Sequence, residues 1–290
     1  MNTLARREAR TGCLLLAPSL FGVGVFLILP VFVVLALSLT QWNLISPARW
    51  VGLANFRDIL TDPKVGNSVL VTAFFVLIVI PVQTVLGLVA ALLLNRRLPG
   101  SSVFRVVYVI PWICAPLALG VVWRWIFDPS DGALNALTGQ RVEWLSSPVL
   151  ALPAVASVTV WSQVGYVTLF FLAGLNAIPD QLYEAARIDG AGSRQVFWRI
   201  TLPLLRPTTF FVLVTGVISS FQVFDTVYAM TKGGPAGHTD VIASRIYYEA
   251  FEAFRLGRAA ALAVLLFVLL VAVTVGQQLY FRRRITYDLS

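Results

Sequence analysis

Residues 68–94 read SVLVTAFFVLIVIPVQTVLGLVAALLL, a stretch without one Asp, Glu, Lys, Arg or His. A bilayer core about 30 Å thick is crossed by roughly 20 apolar helical residues. This run is long enough to span it. Working outward, five more stretches qualify: 13–40, 103–127, 149–175, 207–229 and 257–281. No charge sits in the middle of any of them. Arg105, Arg124 and Arg258 fall near span ends, where long side chains snorkel to headgroups, and Asp225 is the one carboxylate inside a span.

Composition agrees. Of the 290 residues, 58% are hydrophobic and 12% charged, with mean hydropathy +0.81. A soluble domain carries about 25% charged residues, so this chain lacks a polar skin. The net charge of +8 raises nucleic acid as a partner. However, the basic residues sit at the ends of apolar runs, which points to a lipid bilayer and not to nucleic acid.

The first run follows Arg6, Arg7 and Arg10, as a signal peptide would, and Ala36-Leu37-Ser38 imitates a cleavage site. Its apolar length exceeds the roughly 7–15 residues of a signal core, so the expectation is a retained span. Six spans put both termini on one side. With that side cytoplasmic, 13 of the 22 Lys and Arg residues lie inside, among them Arg96, Arg97, Arg187, Arg194 and Arg282-Arg283-Arg284. The positive-inside rule therefore predicts cytoplasmic termini. The expected fold is all-α: a single polytopic domain with a six-helix transmembrane bundle over residues 1–290. Pro30, Pro81, Pro111, Pro116, Gly165 and Gly216 are expected to interrupt helices, which lipid tolerates where a neighbouring helix or a water-filled path serves the freed backbone.

Cys13 and Cys114 lie in apolar runs and are expected as small buried hydrophobes. His238 stands alone in a polar loop, so no His-based metal cluster exists and no metal is expected.

The segment 176–206 differs from the rest. Pro179 suits a first helical position, Asp180 and Glu184 an N-terminal half, and Gly190 a left-handed end, while Ser193 suits the cap of a second short helix running into Leu202-Pro203. A helix-turn-helix follows, with an incomplete apolar face of Leu182, Ala185, Ala186 and Ile188. Two readings fit it: an interfacial helix lying on headgroups, or a plug for a groove on a soluble partner.

Glu184-Ala185-Ala186, then Gly190, Ile200 and Leu202-Pro203, resembles in spacing and position the EAA loop of binding-protein-dependent ABC importers. Leu15-Leu16-Ala17-Pro18, Val51-Gly52-Leu53-Ala54-Asn55-Phe56, Ile110-Pro111-Trp112, Phe224-Asp225 and Thr231-Lys232-Gly233-Gly234-Pro235 are similar to the first-type permease of the maltose and glycerol-3-phosphate kind. The resemblance extends, more loosely, to permeases for amino or modified sugars. It implies a bacterial inner-membrane importer with a second permease subunit, two cytosolic ATPase subunits and an extracytoplasmic solute-binding protein. It also makes Glu184, Ala185, Ala186, Asp189 and Gly190 the element that docks on the ATPase.

No Gly-Lys dipeptide occurs anywhere, so the chain has no phosphate-binding P-loop. It is expected to be non-catalytic and to bind no cofactor, with ATP and Mg on the partner. The alternative is an ion-coupled secondary transporter, for which Asp225 is the single intramembrane carboxylate.

Polar residues mark candidate path positions. Thr215, Ser219, Gln222 and Thr226 recur at helical spacing, flanked by Ser220 and Asp225, and Thr159, Gln163 and Tyr166 do so in span four beside Gly165. Amides, a carboxylate and aromatics suit a sugar's hydroxyls and ring faces, and also suit hydrogen-bonded contact between membrane helices. The expected substrate path is Gln163, Gly165, Tyr166, Ser219, Ser220, Gln222 and Asp225. In the maltose type, the resemblance pairs Gly165-Tyr166 with a Gly-Tyr pair and puts an amide where Ser220 stands. The loop at Thr231–Pro235 reads as a flexible turn, which the resemblance makes part of the surface that receives the binding protein, and 41–67 reads as an interfacial cap.

Overall fold

The computed structural model describes residues 3–95 and 100–282, with the side chains of residues 3–10, 14, 101 and 102 outside that description. Arg96, Arg97, Arg283 and Arg284, on which the orientation argument leans, also lie outside it.

The chain is a helical membrane protein. Helix α1 (Thr3–Val23) continues through a π turn (Gly24–Ile28) into α2 (Leu29–Ser38). Then come α3 (Pro63–Leu94), α4 (Ser101–Ile113), α5 (Pro116–Ile126), α6 (Ala151–Asn176), α7 (Asp180–Ile188), α8 (Arg206–Phe221), α9 (Asp225–Met230) and α10 (Leu256–Arg282). Among the described residues, four helices are long and apolar enough to cross a membrane: Leu15–Ser38, Pro63–Leu94, Ala151–Asn176 and Leu256–Arg282. The number rises to six if each of two bent pairs counts as one span, namely Val103–Ile113 with Pro116–Ile126 and Ser193–Leu204 with Arg206–Phe221.

Two of the expected continuous spans are broken. The 103–127 run bends by 96° at Cys114-Ala115. Pro116 is the cause: it disfavours helical backbone at the residue before it, and Ala115 is extended at ψ 124°. The 207–229 run stops at Phe221, and Asp225 opens a separate short helix. The other expected breaks differ. Pro81 and Pro111 stay inside helices, Pro30 sits beside the π turn, and Gly165 and Gly216 interrupt nothing.

The chain forms two compact units. The first holds residues 1–62 and 246–267. In it, Thr40–Gln41 pairs antiparallel with Arg49–Trp50, with Thr40 opposite Trp50. Asn55, at 9% exposure, donates to the carbonyls of Ser38 and Thr40, at 2.8 Å each. The Leu256 N–H donates to Trp42 O at 3.0 Å, and a Cβ on Gly257 would lie 1.7 Å from Thr40 O. Arg258 does not snorkel as the sequence suggested. It pairs with Asp62 and, at 3.3 Å, with the buried Glu249, which Arg255 meets at 2.9 Å. A carboxylate as buried as Glu249 needs such partners, because an isolated buried charge is very costly.

The second unit, residues 63–245 and 268–290, is organised by α3 against α6. Phe75, Val79, Val155 and Val158 are essentially sealed at one end of this pair, and Ala91, Phe171 and Leu175 at the other. Small residues let the backbones approach closely. A Cβ on Gly87 would fall 2.4 Å from Val167, and one on Gly165 would fall 1.8 Å from the carbonyl oxygen of Tyr108 in α4. Beyond α5, the Asp128 carboxylate accepts from the N–H groups of Asp131 (3.1 Å) and Ser130 (2.9 Å). These bonds hold its pKa below the ordinary value. Both cysteines are exposed and free, contrary to expectation. In an apolar span an outward face meets lipid, so an apolar run alone does not imply burial within the protein.

Gly165→Val forces α4 and α6 apart and should cost at least about 3 kcal/mol in detergent unfolding. Gly276→Ala meets nothing within 4 Å and should stay within about 0.5 kcal/mol of the parent.

Candidate functional site

The second unit encloses a cavity of about 170 Å³. Its wall is built by α3, α6, α8, the start of α9 and Pro116 of α5. Six of the seven residues expected on the substrate path border it: Gln163, Tyr166, Ser219, Ser220, Gln222 and Asp225. Both polar stripes meet there, although the second is not one helical face. Gln222 caps the end of α8, and Asp225 and Thr226 belong to α9. The break at Gln222–Phe224 turns those residues toward the same space.

Gly165 is the seventh. It does not line the cavity, and its role is the close crossing of α4 described above. That crossing places its neighbour Tyr166 in a ladder of rings. Trp112 stacks on Tyr166 at 4.9 Å, Tyr166 meets Phe170 at 4.7 Å, and Phe170 meets Phe211 at 4.8 Å. Offset and edge-on geometry of this kind fixes ring orientation.

Three hydroxyls on the wall are committed to their own helices. Thr159 Oγ1 donates to Val155 O, Ser162 Oγ to Thr159 O at 2.9 Å, and Thr215 Oγ1 to Phe211 O at 2.8 Å. The glutamines and Asp225 add amide and carboxylate groups that suit an incoming polar solute. Gln83 of α3 also lines the cavity and was not among the residues read from the sequence. Its signal was an amide in the middle of a span without charges, two residues after Pro81, which a search for stripes passes over.

In the same unit, the Thr231–Asp240 loop is not the flexible turn that its paired glycines suggest. Thr239 Oγ1 donates to Gly234 O at 2.6 Å and lies 2.7 Å from Thr231 Oγ1. Asn67 Nδ2 donates to Gly237 O at 2.9 Å, and Asp240 accepts from Ser68 and pairs with Arg245. The glycines are there for backbone shape: Gly233 and Gly237 take φ +86° and +84°.

The candidate docking element lies in α7. Pro179 caps the helix from outside, where the sequence suggested a first-turn position, and Gly192 takes the capping place expected of Ser193. At the far end Asp189 is the C-cap and Gly190 turns left-handed at φ +71°. The N–H of Gly190 bonds to Arg187 O, and that of Ala191 to Ala186 O at 2.9 Å. This pair of bonds is a Schellman motif. Glu184, Ala185, Asp189 and Gly190 are exposed, whereas Ala186 is buried and packs inward. Ile188 projects at 87% exposure, an apolar tip on a polar helix. Tyr183 Oη lies 3.3 Å from Thr201 Oγ1, tying α7 to the segment that leads into α8.

The profile of one family, the binding-protein-dependent transport system inner membrane component, matches residues 83–287. The chain belongs to that family. Relatives of this permease include the trehalose/maltose transport system permease protein MalF of Thermococcus litoralis, 37% identical over 279 residues and 94% of each chain. The sn-glycerol-3-phosphate transport system permease protein UgpA of Agrobacterium fabrum is 37% identical over 246 residues, 83% of each chain. Among solved structures, a bacterial ABC transporter involved in the import of the acidic polysaccharide alginate has a chain that superposes with TM-score 0.85. That match covers 98% of this permease and all of that chain at 22% identity, and it shows a shared fold. The permease is thus a multi-pass membrane protein and a non-catalytic transport subunit.

Tyr166→Phe keeps the ring ladder and should leave detergent unfolding unchanged. Tyr166→Ala removes the ladder's central member and should cost roughly 2–4 kcal/mol.

Proposed function

We propose that this permease forms half of the translocation path of an ABC importer for sugar-like solutes. One observation carries the reading: the amides of Gln163 and Gln222, the Asp225 carboxylate and the Tyr166 ring converge on one cavity. The chain around it shares 37% identity with a trehalose/maltose permease along nearly its whole length. Such a wall has the donors, acceptors and ring face that a polyhydroxylated solute uses.

The remaining parts follow from the same reading. A second permease closes the path and an extracytoplasmic binding protein delivers the solute. Two ATPase subunits, carrying ATP and Mg, supply the energy. Both termini are cytoplasmic, which puts 176–206 on the ATPase side. There α7 presents Glu184, Ala185, Asp189 and Gly190, with Ile188 as an apolar anchor. Ala186, buried beneath that surface, supports it from within. The small side chain of Ala185 permits close approach, and Glu184 pairs with a basic ATPase residue.

Purification in mild detergent should recover a second permease and an ATPase with this chain. Proteoliposomes holding the complex and its binding protein should accumulate labelled trehalose or maltose only with internal ATP. Glu184→Lys should leave the complex in the membrane and lower ATP-driven uptake at least about tenfold. Accumulation of either sugar by the isolated chain under a proton gradient, or undiminished uptake by Glu184→Lys, contradicts the proposal.

A further inference from the structure

Gln83 is 2% exposed, and its amide oxygen is sealed from solvent without accepting a hydrogen bond from the described residues. Such a group is costly, since it has given up water and gained nothing in exchange. A leucine fills the same space without that cost. The amide nitrogen lies against Gly216 of α8, where a Cβ would come within 2.7 Å of it. The helix that faces Gln83 therefore supplies room and no partner. If the glutamine served as glue between α3 and α8, a polar side chain or a freed carbonyl should meet its oxygen, and none among the described residues does. What Gln83 does border is the cavity, together with Gln163, Gln222 and Asp225.

We propose that Gln83 is a specificity-determining contact for the solute, its buried carboxamide reserved for a hydroxyl of the passing sugar and its freedom to turn secured by Gly216. The inference rests on the cavity being the solute path. A carboxamide offers an acceptor and two donors on one planar head, which matches neighbouring hydroxyls on a sugar ring. A solute lacking the matching hydroxyl leaves the buried amide unpaired. Discrimination of this kind is stronger than an apolar pocket achieves.

The test uses the assembled transporter with its partner subunits, with Cys13→Ser and Cys114→Ser as background. Single cysteines are placed at Gln83, Gln163 and Gln222, and at Leu86, which lines an apolar groove on another face of α3. A membrane-impermeant cationic methanethiosulfonate reagent should modify the first three and spare Leu86→Cys. Modification at 163 and 222 but not at 83 overturns the assignment of Gln83 while the solute path stands. Failure at all three removes the path itself.

With trehalose as the transported probe, Gln83→Leu should raise the KM for uptake about tenfold, with the larger part of the loss in KM and not in maximal rate. A variant that folds and keeps its KM defeats the proposal. Gly216→Ala should lower uptake in the parent and be tolerated beside Gln83→Ala, where the amide no longer needs the space. Equal damage in both backgrounds also defeats it.

Discussion

In a hydrocarbon layer, every backbone N–H and C=O must find its partner within the protein. This constraint makes the chain helical, and it gives meaning to two of the places in the second unit where a helix gives way. One is Cys114-Ala115, forced by Pro116; the other is Gln222–Phe224, between α8 and α9. Both adjoin the same cavity, since Pro116 and residues 222–226 all border it. Irregular backbone at membrane depth is stable where it faces protein or a polar space, and broken helices are a recurrent way of building solute sites in transporters. The breaks and the cavity are one feature seen from two sides.

Close glycine crossings hold that feature in place. Gly87 admits Val167, Gly165 admits the α4 backbone, and Gly174 admits Thr208 of α8. Water cannot drive helices together inside a bilayer, so packing of this kind does most of the joining. It draws α3, α4 and α8 onto α6 and leaves the polar side chains between them as wall. Gly165 and Tyr166 show the division of labour in adjacent residues: one seats a neighbouring helix, and the other turns its ring to the cavity.

The fold was legible because its signals are long. Six apolar runs need only be counted, and the ends of α7 follow from Pro179 and Gly190, whose backbone preferences are strong and local. The misses are of a different sort. Nothing local announces the break after Phe221, which contains neither proline nor glycine. Arg258 looked like a snorkelling residue because its partner Asp62 is 196 positions away. The cysteines' exposure was illegible because apolar faces turn to lipid as readily as to core. In the site, stripes at helical spacing located six wall residues. Gly165 was included through its neighbour, and Gln83 was omitted because the polar residues of its span, Ser68, Thr72 and Thr84 among them, were not read with it as a stripe.

The proposed coupling has a plain mechanical route. A push on the exposed edge of α7 reaches the buried Ala186 and the Tyr183–Thr201 contact, then passes the π turn at Phe197–Thr201 and the 62° bend that precedes α8. From Arg206 the path is a single helix of 16 residues, about 24 Å long at 1.5 Å per residue. It ends at Ser219, Ser220 and Gln222 on the cavity wall. A helix transmits axial displacement with little loss, whereas a loop of that length absorbs it. The hydrogen bonds that keep α8 intact thus serve two ends at once: they satisfy the backbone in lipid, and in the proposed coupling they join the α7 surface to the break beside the cavity.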